Sequence, residues 1–437
     1  MTLAKKIESH NAVVGVIGLG YVGLSLLEVF GRAGFSLIGF DKSTKKIEQL
    51  QKGERFYNFI PMAELVEFQN KNRFECSSDP AILTKADVII ICVSTPLDKQ
   101  RHPDPSNLQQ AFQTIGAHLK KNQLIVLQST TYPGTTEEEL LPLLEKKGMK
   151  VGHDFFLSYV PEISDPGNPH YAFSEVPRVI SGVTLTCLKM AELLYKKIGC
   201  QVVSAPSTRV AEAAKILQNA YRMVNISFVN EMKIMFDRMG MDVWEVIDAA
   251  KVKPFGYTAF YPSMGAGGDC IPVVPLYLVS KAKETDGPTS MMELADAINT
   301  MIPHYVVEKV IQALNAHNRK INGAKILMLG VAYKKDVNDL RESAPLRVLT
   351  LLKEAGAEVY YNDPFVPELE NVPKYPQLKM KSRQLDYPQM KSYDAVVIAT
   401  NHSSYQWKEV VKHSTLIIDT QNVTTNIEGA KEKVVKA

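Results

Sequence analysis

The sequence predicts an α/β protein in which two doubly wound domains are joined by a central helical domain with a long helix. In the first part of the chain, short and almost continuously apolar runs alternate with helical stretches, a pattern typical of a parallel sheet covered by helices on both faces. The same alternation begins again in the last third of the chain. Between the two blocks, apolar residues recur at helical spacing over a long stretch.

The strands predicted for the first block are 12–17, 35–40, 88–93, 124–128 and 155–159. The long helix is predicted from about Pro206, and its apolar stripe consists of Val210, Ala214, Leu217, Tyr221, Val224 and Phe228. In the second block the predicted strands are 325–331, 358–361, 395–399 and 416–419, with a helix at 344–355. We therefore predict three domains, at 1–205, 206–315 and 316–437, which agrees with roughly one domain per 150 residues.

The composition is that of a globular protein and predicts neither a nucleic-acid partner nor a membrane partner. Lys and Arg number 50 against 47 Asp and Glu, so the formal charge is only +3, and 45% of the residues are hydrophobic. An apolar stretch at 12–30 contains four glycines and a glutamate, which favours a strand, a turn and a helix over a membrane span. It also lacks a signal-peptide cleavage site. The 5 cysteines show no CxxC spacing, so we expect no disulfide framework, no metal site and a cytoplasmic location.

The sequence GLGYVG at 18–23 predicts a dinucleotide-binding loop. Such a loop uses its first glycine for a tight turn, its second for approach to the pyrophosphate, and its third for close packing of helix and strand, and Gly18, Gly20 and Gly23 fit these roles. A predicted strand precedes the loop, a helix follows it, and Asp41 lies about 20 residues further on. A carboxylate there accepts from ribose hydroxyls and repels a 2′-phosphate, which favours NAD over NADP. The alternative is that these glycines serve packing only and that Asp41 caps a helix.

A second glycine-rich loop at 260–272 ends on Cys270, which is followed by an Ile-Pro step. This context makes Cys270 a candidate nucleophile, although most single cysteines are small buried hydrophobic residues. Lys215 and Asn219 lie four residues apart on the predicted long helix and therefore project from one face, where together they can stabilise an oxyanion. Glu162 follows a predicted strand end, where the ligands of doubly wound sheets bind; a solvated loop glutamate is the alternative.

Taken in order, these features resemble the UDP-glucose/GDP-mannose dehydrogenase family, and within it the UDP-N-acetylglucosamine or UDP-N-acetylmannosamine 6-dehydrogenases. The similarity extends from about residue 13 to residue 422. The motifs that match are GLGYVG at 18–23, STP at 94–96, STTYPGTT at 129–136, PE and DPGNP within 161–169, AAKILQNAYRMVN at 213–225, KPFG and FYP within 253–262, GGDCIP at 267–272, and AYKKDVNDLRES at 332–343.

The resemblance implies two Rossmann-like domains and a metal-free oxidation of the C6 alcohol of a UDP-sugar to a carboxylate, with two NAD reduced. Cys270 is implied as the nucleophile, Lys215 and Asn219 as oxyanion stabilisers, and Glu162 as the general base. The implied cofactor-binding residues are Gly18, Gly20, Tyr21, Val22, Gly23, Asp41, Lys46, Thr95, Thr130 and Arg341, with a solvated side chain as the alternative for Lys46. The implied substrate-binding residues are Glu162, Lys215, Asn219, Tyr261, Ser263, Gly267 and Lys334.

The sequence departs from the family pattern GGHCIPxDP at two positions beside the cysteine. Asp269 replaces the histidine, and Val274 stands where the family has an aspartate that assists the lysine and the hydrolytic water. Besides full oxidation of UDP-N-acetylhexosamine or UDP-glucose, two further hypotheses therefore stay open: a redox-neutral or one-step reaction, and a nucleotide-sugar binder without catalysis.

The apolar stripe of the long helix must be covered, and the resemblance implies that this helix forms a dimer interface. We therefore predict a homodimer; packing of the stripe against the two α/β domains of the same chain is the alternative.

Overall fold

The computed structural model describes residues 1–55, 57, 60, 62–98, 100–146, 148–163, 171 and 175–437. The chain divides into two compact units, each built from two segments. The first unit contains Met1–Gln218 and Leu276–Pro288, and the second contains Asn219–Pro275 and Thr289–Ala437.

The first unit is a doubly wound α/β unit. Within the described residues it contains an eight-stranded sheet of order β3-β2-β1-β4-β5-β6-β7-β8, in which all neighbouring strands are parallel except β6 and β7. The strands are β1 (Val13–Ile17), β2 (Ser36–Phe40), β3 (Phe74–Ser77), β4 (Val88–Ile91), β5 (Leu124–Leu127), β6 (Phe156–Tyr159), β7 (Arg178–Gly182) and β8 (Val202–Ser204). The helices are α1 (Leu3–Glu8), α2 (Tyr21–Arg32), α3 (Thr44–Gln51), α4 (Met62–Asn70), α5 (Ser106–His118), α6 (Leu141–Glu145) and α7 (Leu185–Lys197).

The central strands of this sheet are apolar at successive positions because both faces are covered. In β4, Val88 and Ile90 pack into the core on one face, while Ile89 and Ile91 pack into the core on the other. All four side chains are buried. The continuous apolar runs in the sequence therefore correspond to a parallel sheet with two cores, as predicted.

Two helices continue across the division between the units. The long helix α8 (Thr208–Arg238) confirms the predicted central helix, and α10 (Val274–Lys283) follows the cysteine loop. Two helices, α9 (Val243–Ala250) and α11 (Ser290–Ala316), lie wholly in the second unit.

The second unit also contains a doubly wound sheet, with five parallel strands among the described residues, in the order β10-β9-β13-β14-β15. Its elements are β9 (Lys325–Leu329), α12 (Ala344–Glu354), β10 (Glu358–Asn362), the hairpin strands β11 (Glu368–Leu369) and β12 (Met380–Lys381), β13 (Ala395–Ile398), α13 (Trp407–His413), β14 (Ile417–Asp419) and β15 (Val434–Lys436). The fold class predicted from the sequence, two doubly wound domains with a central helical domain, is confirmed.

The apolar stretch at 12–30 forms β1, the glycine turn and most of α2. Across the part of the chain that the structure describes, every helix is too short or too polar to cross a membrane.

Gly330, directly after β9, offers a test of how tightly the second sheet is built. Its φ is +85°, and an added Cβ would lie 2.4 Å from the Cβ of Thr400. We expect Gly330→Ala to lower the free energy of unfolding by about 2–4 kcal/mol, because both the backbone conformation and the side chain are strained. Urea denaturation followed by tryptophan fluorescence measures this unit, since Trp244 and Trp407 both lie in it.

Gly429→Ala is the matched control. Gly429 also has a positive φ, +77°, but an added Cβ would have no heavy atom within 4 Å. The backbone strain alone should cost about 1–2 kcal/mol. Equal losses for the two variants would show that contact with Thr400 contributes nothing.

Candidate active site

The glycine loop after β1 has the three features that a dinucleotide requires. Gly18 has a φ of +91°, and an added Cβ would lie 2.6 Å from the carbonyl oxygen of Cys92. At Gly23 an added Cβ would lie 2.1 Å from the carbonyl oxygen of Gly18, so α2 packs directly against the turn. Gly20, at the start of α2, has open space where its Cβ would be. As predicted, Gly18 makes the tight turn, Gly20 leaves space for a ligand to approach, and Gly23 allows the close packing of helix and turn.

Asp41 follows β2 and holds the glycine turn in place. One oxygen of its buried carboxylate accepts a hydrogen bond from the backbone N–H of Leu19 at 2.9 Å, and the same oxygen pairs with the Nζ of Lys46 at 2.8 Å. The other oxygen accepts from the backbone N–H of Ser43 at 3.0 Å. Lys46 therefore lies beside the acid that is predicted to bind ribose.

Two further predicted cofactor residues lie at the carboxyl ends of neighbouring strands. Thr95 follows β4, Thr130 follows β5, and the hydroxyl of Thr95 donates to the carbonyl oxygen of Thr130 at 3.0 Å. Tyr21 and Val22 form the first turn of α2. Ligands of doubly wound sheets bind at this edge, and the open N-terminus of α2 suits a pyrophosphate, so the residues present fit a nicotinamide dinucleotide.

Glu162 lies in a buried polar network and is not a solvated loop residue. Its Oε2 accepts a hydrogen bond from the Nε2 of Gln128 at 2.5 Å, and the Oε1 of Gln128 accepts from the hydroxyl of Tyr195 at 2.7 Å. The Nη1 of Arg178 lies 3.5 Å from the Oε1 of Glu162, and the Arg178 side chain is fully buried. These contacts fix the orientation of the Glu162 carboxylate.

The sequence analysis missed Gln128, Arg178 and Tyr195. Arg178 could have been recognised, because an arginine that opens the short strand RVISG must be paired if the strand is buried. The DPGNP motif that follows Glu162 lies outside the described residues.

Glu212 is a second buried carboxylate that the sequence analysis missed. It lies on α8 one turn before Lys215, and it accepts hydrogen bonds from the loop that follows β5: from the backbone N–H of Gly134 at 2.6 Å, and from the backbone N–H and the hydroxyl of Thr136 at 2.9 and 2.6 Å. Burial raises the pKa of Glu212 to about 7, although these hydrogen bonds lower it. The carboxylate therefore joins the helix of Lys215 to the loop of Thr130.

Lys215 and Asn219 are both buried on α8, four residues apart. The Asn219 side chain is only 3% exposed, and its Nδ2 has no hydrogen-bond partner among the described residues. A buried amide donor without a partner costs about 1–3 kcal/mol, so it is expected where a ligand oxygen supplies the missing bond.

The loop before Cys270 is held by two buried asparagines of the second unit. The Oδ1 of Asn230 accepts a hydrogen bond from the backbone N–H of Ser263 at 2.8 Å, and the Oδ1 of Asn299 accepts from that of Ala266 at 2.5 Å. Tyr261 stacks on Trp244 with ring centroids 5.4 Å apart. The segment is thus fixed by its own contacts before any ligand binds.

The two departures from the family pattern occupy different surroundings. Asp269 forms an ion pair with Arg341, which also pairs with Asp339. Val274 is the first residue of α10 and is 3% exposed. Since valine is apolar and buried, it supplies no proton acceptor at this position.

The predicted site residues divide between the two units. Those in the first unit are Gly18, Gly20, Tyr21, Val22, Gly23, Asp41, Lys46, Thr95, Thr130, Glu162 and Lys215. Those in the second unit are Asn219, Tyr261, Ser263, Gly267, Cys270, Lys334 and Arg341.

Comparison with protein families identifies the family to which this chain belongs. The model of the UDP-glucose/GDP-mannose dehydrogenase family, NAD binding domain, matches residues 12–199. The models of the central domain and of the UDP binding domain of the same family match 209–301 and 327–426. The chain belongs to the UDP-glucose/GDP-mannose dehydrogenase family. The resemblance inferred from the motifs is therefore confirmed.

Relatives align with this chain along nearly their whole length. Protein CapL of Staphylococcus aureus is 34% identical over 426 residues, which are 96% of this chain and 97% of that protein. The UDP-N-acetyl-D-glucosamine 6-dehydrogenase of Pseudomonas aeruginosa is 33% identical over 395 residues, 90% of this chain and 91% of that protein. Among solved structures, the UDP-D-ManNAc dehydrogenase of Pyrococcus horikoshii superposes with a TM-score of 0.82 at 29% identity, covering 93% of this chain and 94% of that one.

Family membership confirms the predicted class of activity, an NAD-dependent nucleotide-sugar dehydrogenase. It also confirms NAD as the cofactor, because the NAD binding domain of the family matches the sheet that contains the glycine loop. The match of the UDP binding domain agrees with a UDP-sugar as the substrate.

The raised pKa of Glu212 predicts a specific pH dependence of stability. In the unfolded chain this carboxyl ionises near 4.5, whereas in the folded chain it stays protonated until about pH 7. Its stabilising contribution is therefore present below about pH 4.5 and is lost as the pH rises through 7. Relative to Glu212→Gln, the wild-type chain should lose about 3 kcal/mol of unfolding free energy between pH 4.5 and pH 8.

Urea denaturation followed by circular dichroism at the two pH values measures this difference. Glu231→Gln is the control, because Glu231 is an exposed carboxyl on the same helix. If the difference in unfolding free energy between Glu212→Gln and the wild type is the same at pH 4.5 and pH 8, the titration of Glu212 does not contribute to the pH dependence of stability.

Proposed function

We propose that this chain oxidises the C6 alcohol of a UDP-N-acetylhexosamine to the uronic acid, with two NAD reduced for each sugar. The observation that supports this most directly is the presence of Cys270, Lys215, Asn219 and Glu162 in a chain that matches all three domains of the family. The N-acetylhexosamine is proposed because full-length relatives are named for UDP-N-acetylglucosamine and UDP-N-acetylmannosamine.

Cys270 divides the oxidation into steps that a thiol can assist. NAD, when bound, accepts one hydride in each of the two oxidations. After the first, the C6 alcohol has lost a hydride and a proton and is an aldehyde, to which the Cys270 sulfur adds to form a thiohemiacetal. Loss of the second hydride, together with the hydroxyl proton, gives a thioester, and water then releases the carboxylate and restores the thiol.

Lys215 and Asn219 stabilise the oxygen that becomes negative in these steps. The proposal is supported by the buried Nδ2 of Asn219, which lacks a partner among the residues described. One helical turn separates the lysine from the asparagine, so an ammonium and an amide donor project from the same face of α8.

Glu162 acts on the proton that leaves the alcohol or the attacking water. Gln128 donates a hydrogen bond to its carboxylate and Arg178 lies 3.5 Å from it, so these two side chains orient the carboxylate. A carboxylate held in this way is placed to accept a proton as a general base.

The proposed substrate residues of the second unit are Tyr261, Ser263, Gly267 and Lys334, with Arg341 reaching the cofactor. Val274 lies where the family has an aspartate that assists hydrolysis. Loss of such a group typically costs about a hundredfold to ten-thousandfold in rate, so we propose that hydrolysis of the thioester is the slowest step.

The proposed domains are 1–205 for NAD, 206–315 for the central domain and 316–437 for the UDP-sugar. The family matches at 12–199, 209–301 and 327–426 support this division. A cytoplasmic location is proposed from the cysteine pattern.

Replacing the nucleophile should abolish the acid product without abolishing binding. We expect the wild-type chain to release about two NADH for each UDP-N-acetylglucosamine or UDP-N-acetylmannosamine consumed, and Cys270→Ser to form no acid, because a hydroxyl adds less readily to the aldehyde. NADH absorbance and mass spectrometry of the sugar nucleotide give both quantities.

Cys76→Ser is the control, since Cys76 lies buried in β3. A changed sugar without net NADH would indicate a redox-neutral reaction, and binding without turnover of UDP-N-acetylglucosamine, UDP-N-acetylmannosamine or UDP-glucose would indicate a binder. Either result contradicts the proposed oxidation.

We further propose that the chain is a homodimer joined through α8. The predicted stripe contains two sets of residues seven apart, Val210 with Leu217 and Val224, and Ala214 with Tyr221 and Phe228. Leu217 is 69% exposed and Phe228 is 55% exposed within the chain. Exposed apolar residues that alternate by four and three positions form the kind of stripe that two helices bury against each other. The stripes of two copies of this chain would therefore cover one another.

A charge in this stripe should separate the copies. We expect Leu217→Glu to give the monomer mass of 48.7 kDa by light scattering at micromolar concentration, and the wild type to give twice that mass. Met291→Glu is the control, because Met291 is an equally exposed apolar residue on α11. A monomeric wild-type chain would refute the dimer.

A further inference from the structure

The loop that ends on Cys270 lies directly against the loop that follows β9. The backbone N–H of Gly268 donates to the carbonyl oxygen of Arg341 at 3.0 Å. An added Cβ at Gly267 would lie 2.7 Å from the Cβ of Tyr333 and 3.0 Å from the carbonyl oxygen of Glu342. The two glycines of GGDC therefore allow a backbone contact that larger residues would prevent.

Arg341 is itself held in position from the other side. Its Nε lies 3.0 and 3.1 Å from the two carboxylate oxygens of Asp339, and its Nη2 lies 2.6 Å from one of them. The backbone N–H of Arg341 donates to the Oδ1 of Asp339 at 3.0 Å. A two-point pairing of this kind fixes the plane of the guanidinium, and it therefore also fixes the direction of the third nitrogen, Nη1.

The remaining edge of the guanidinium meets Asp269. Its Nη1 donates to the Oδ2 of Asp269, whose side chain is 37% exposed. Burial and the neighbouring Asp339 and Glu342 raise the pKa of Asp269, while Arg341 lowers it. Arg341 is thus the cation that offsets a locally acidic environment, since Lys374 pairs with Glu342 instead.

We propose that Arg341 is a positioning residue for Cys270: its guanidinium joins Asp269 to Asp339, anchors the cysteine loop, and offsets the charge of the carboxylate on the residue that precedes the cysteine. This role rests on the proposed function of Cys270 as the nucleophile and adds to the predicted cofactor contact of Arg341. It also accounts for Asp269 where the family has histidine, because an aspartate there pairs with the arginine.

The physical consequence concerns the thiolate. An unpaired negative charge close to a sulfur disfavours the thiolate, which is the reactive form, whereas a nearby cation favours it. Removing the charge of Arg341 should therefore make Cys270 less reactive at neutral pH. Removing the charges of Asp269 and Arg341 together should restore its reactivity.

The test is the rate at which iodoacetamide alkylates Cys270 in the full-length chain between pH 6.5 and pH 9.5. Peptide mapping by mass spectrometry separates Cys270 from the other 4 cysteines of the chain. At pH 7.5 we expect alkylation to be about tenfold slower in Arg341→Gln. It should be within about threefold of the wild type in Arg341→Gln/Asp269→Asn, and at least as fast as the wild type in Asp269→Asn.

Arg341→Lys keeps the charge and should stay closer to the wild type than Arg341→Gln does. Lys251→Gln is the control, since Lys251 pairs with Asp248 on the exposed surface of the same unit. Tryptophan fluorescence verifies that each variant is folded. The slowing in Arg341→Gln should become smaller as the pH rises, because the thiolate fraction increases in both chains.

A slowing of equal size at every pH, or one that the double variant does not reverse, would overturn the charge role of Arg341. An unchanged rate in Arg341→Gln would do the same. The alkylation rate is read without substrate or NAD, so this result is independent of the Cys270→Ser turnover experiment. If Cys270→Ser still forms the acid, the proposed function fails even where the alkylation rates follow the expected order.

Discussion

The reversal of the backbone directly after the first strand of each α/β unit is the constraint on which the rest of the structure depends. In the first unit the N–H of Gly18 donates to the carbonyl oxygen of Phe40 at 2.9 Å, at the end of the neighbouring strand. In the second unit the N–H of Gly330 donates to the carbonyl oxygen of Asn362 at 2.8 Å. Both glycines have a positive φ. A residue with a side chain would be strained in this conformation, so each turn favours glycine.

An aspartate follows the second strand in each unit, but its partners differ. Asp41 accepts from Leu19 and pairs with the partly exposed Lys46. Asp363 accepts from the backbone N–H groups of Val331 and Ala332 and lies 3.1 Å from the Nε2 of the fully buried His402. The same architecture therefore places a buried acid beside the glycine turn in each unit, but the acid pairs with a partly exposed lysine in the first unit and with a fully buried histidine in the second.

The sequence was sufficient for the elements that have a repeating pattern. The glycine turn and α8 follow from glycine spacing and helical periodicity, and continuous apolar runs predict nine strands: β1, β2, β4, β5, β6, β9, β10, β13 and β14. The strands that were not predicted are β3, β7, β8, β11, β12 and β15. Each of these is only two to five residues long and contains polar residues, so it lacks such a run. Glu212 was missed for a different reason: a buried charge is stabilised by partners that lie 76 to 78 residues away in the chain, and no local signal records them.

The continuity of α8 fixes the relative placement of two buried polar side chains. Lys215 and Asn219 lie four residues apart on this uninterrupted helix. The rise of a helix keeps them about 6 Å apart along its axis. Inserting a single residue between them would turn one by about 100° relative to the other and place the amine and the amide on different faces. The unbroken helix therefore sets both the spacing of the two side chains and the common face from which they project.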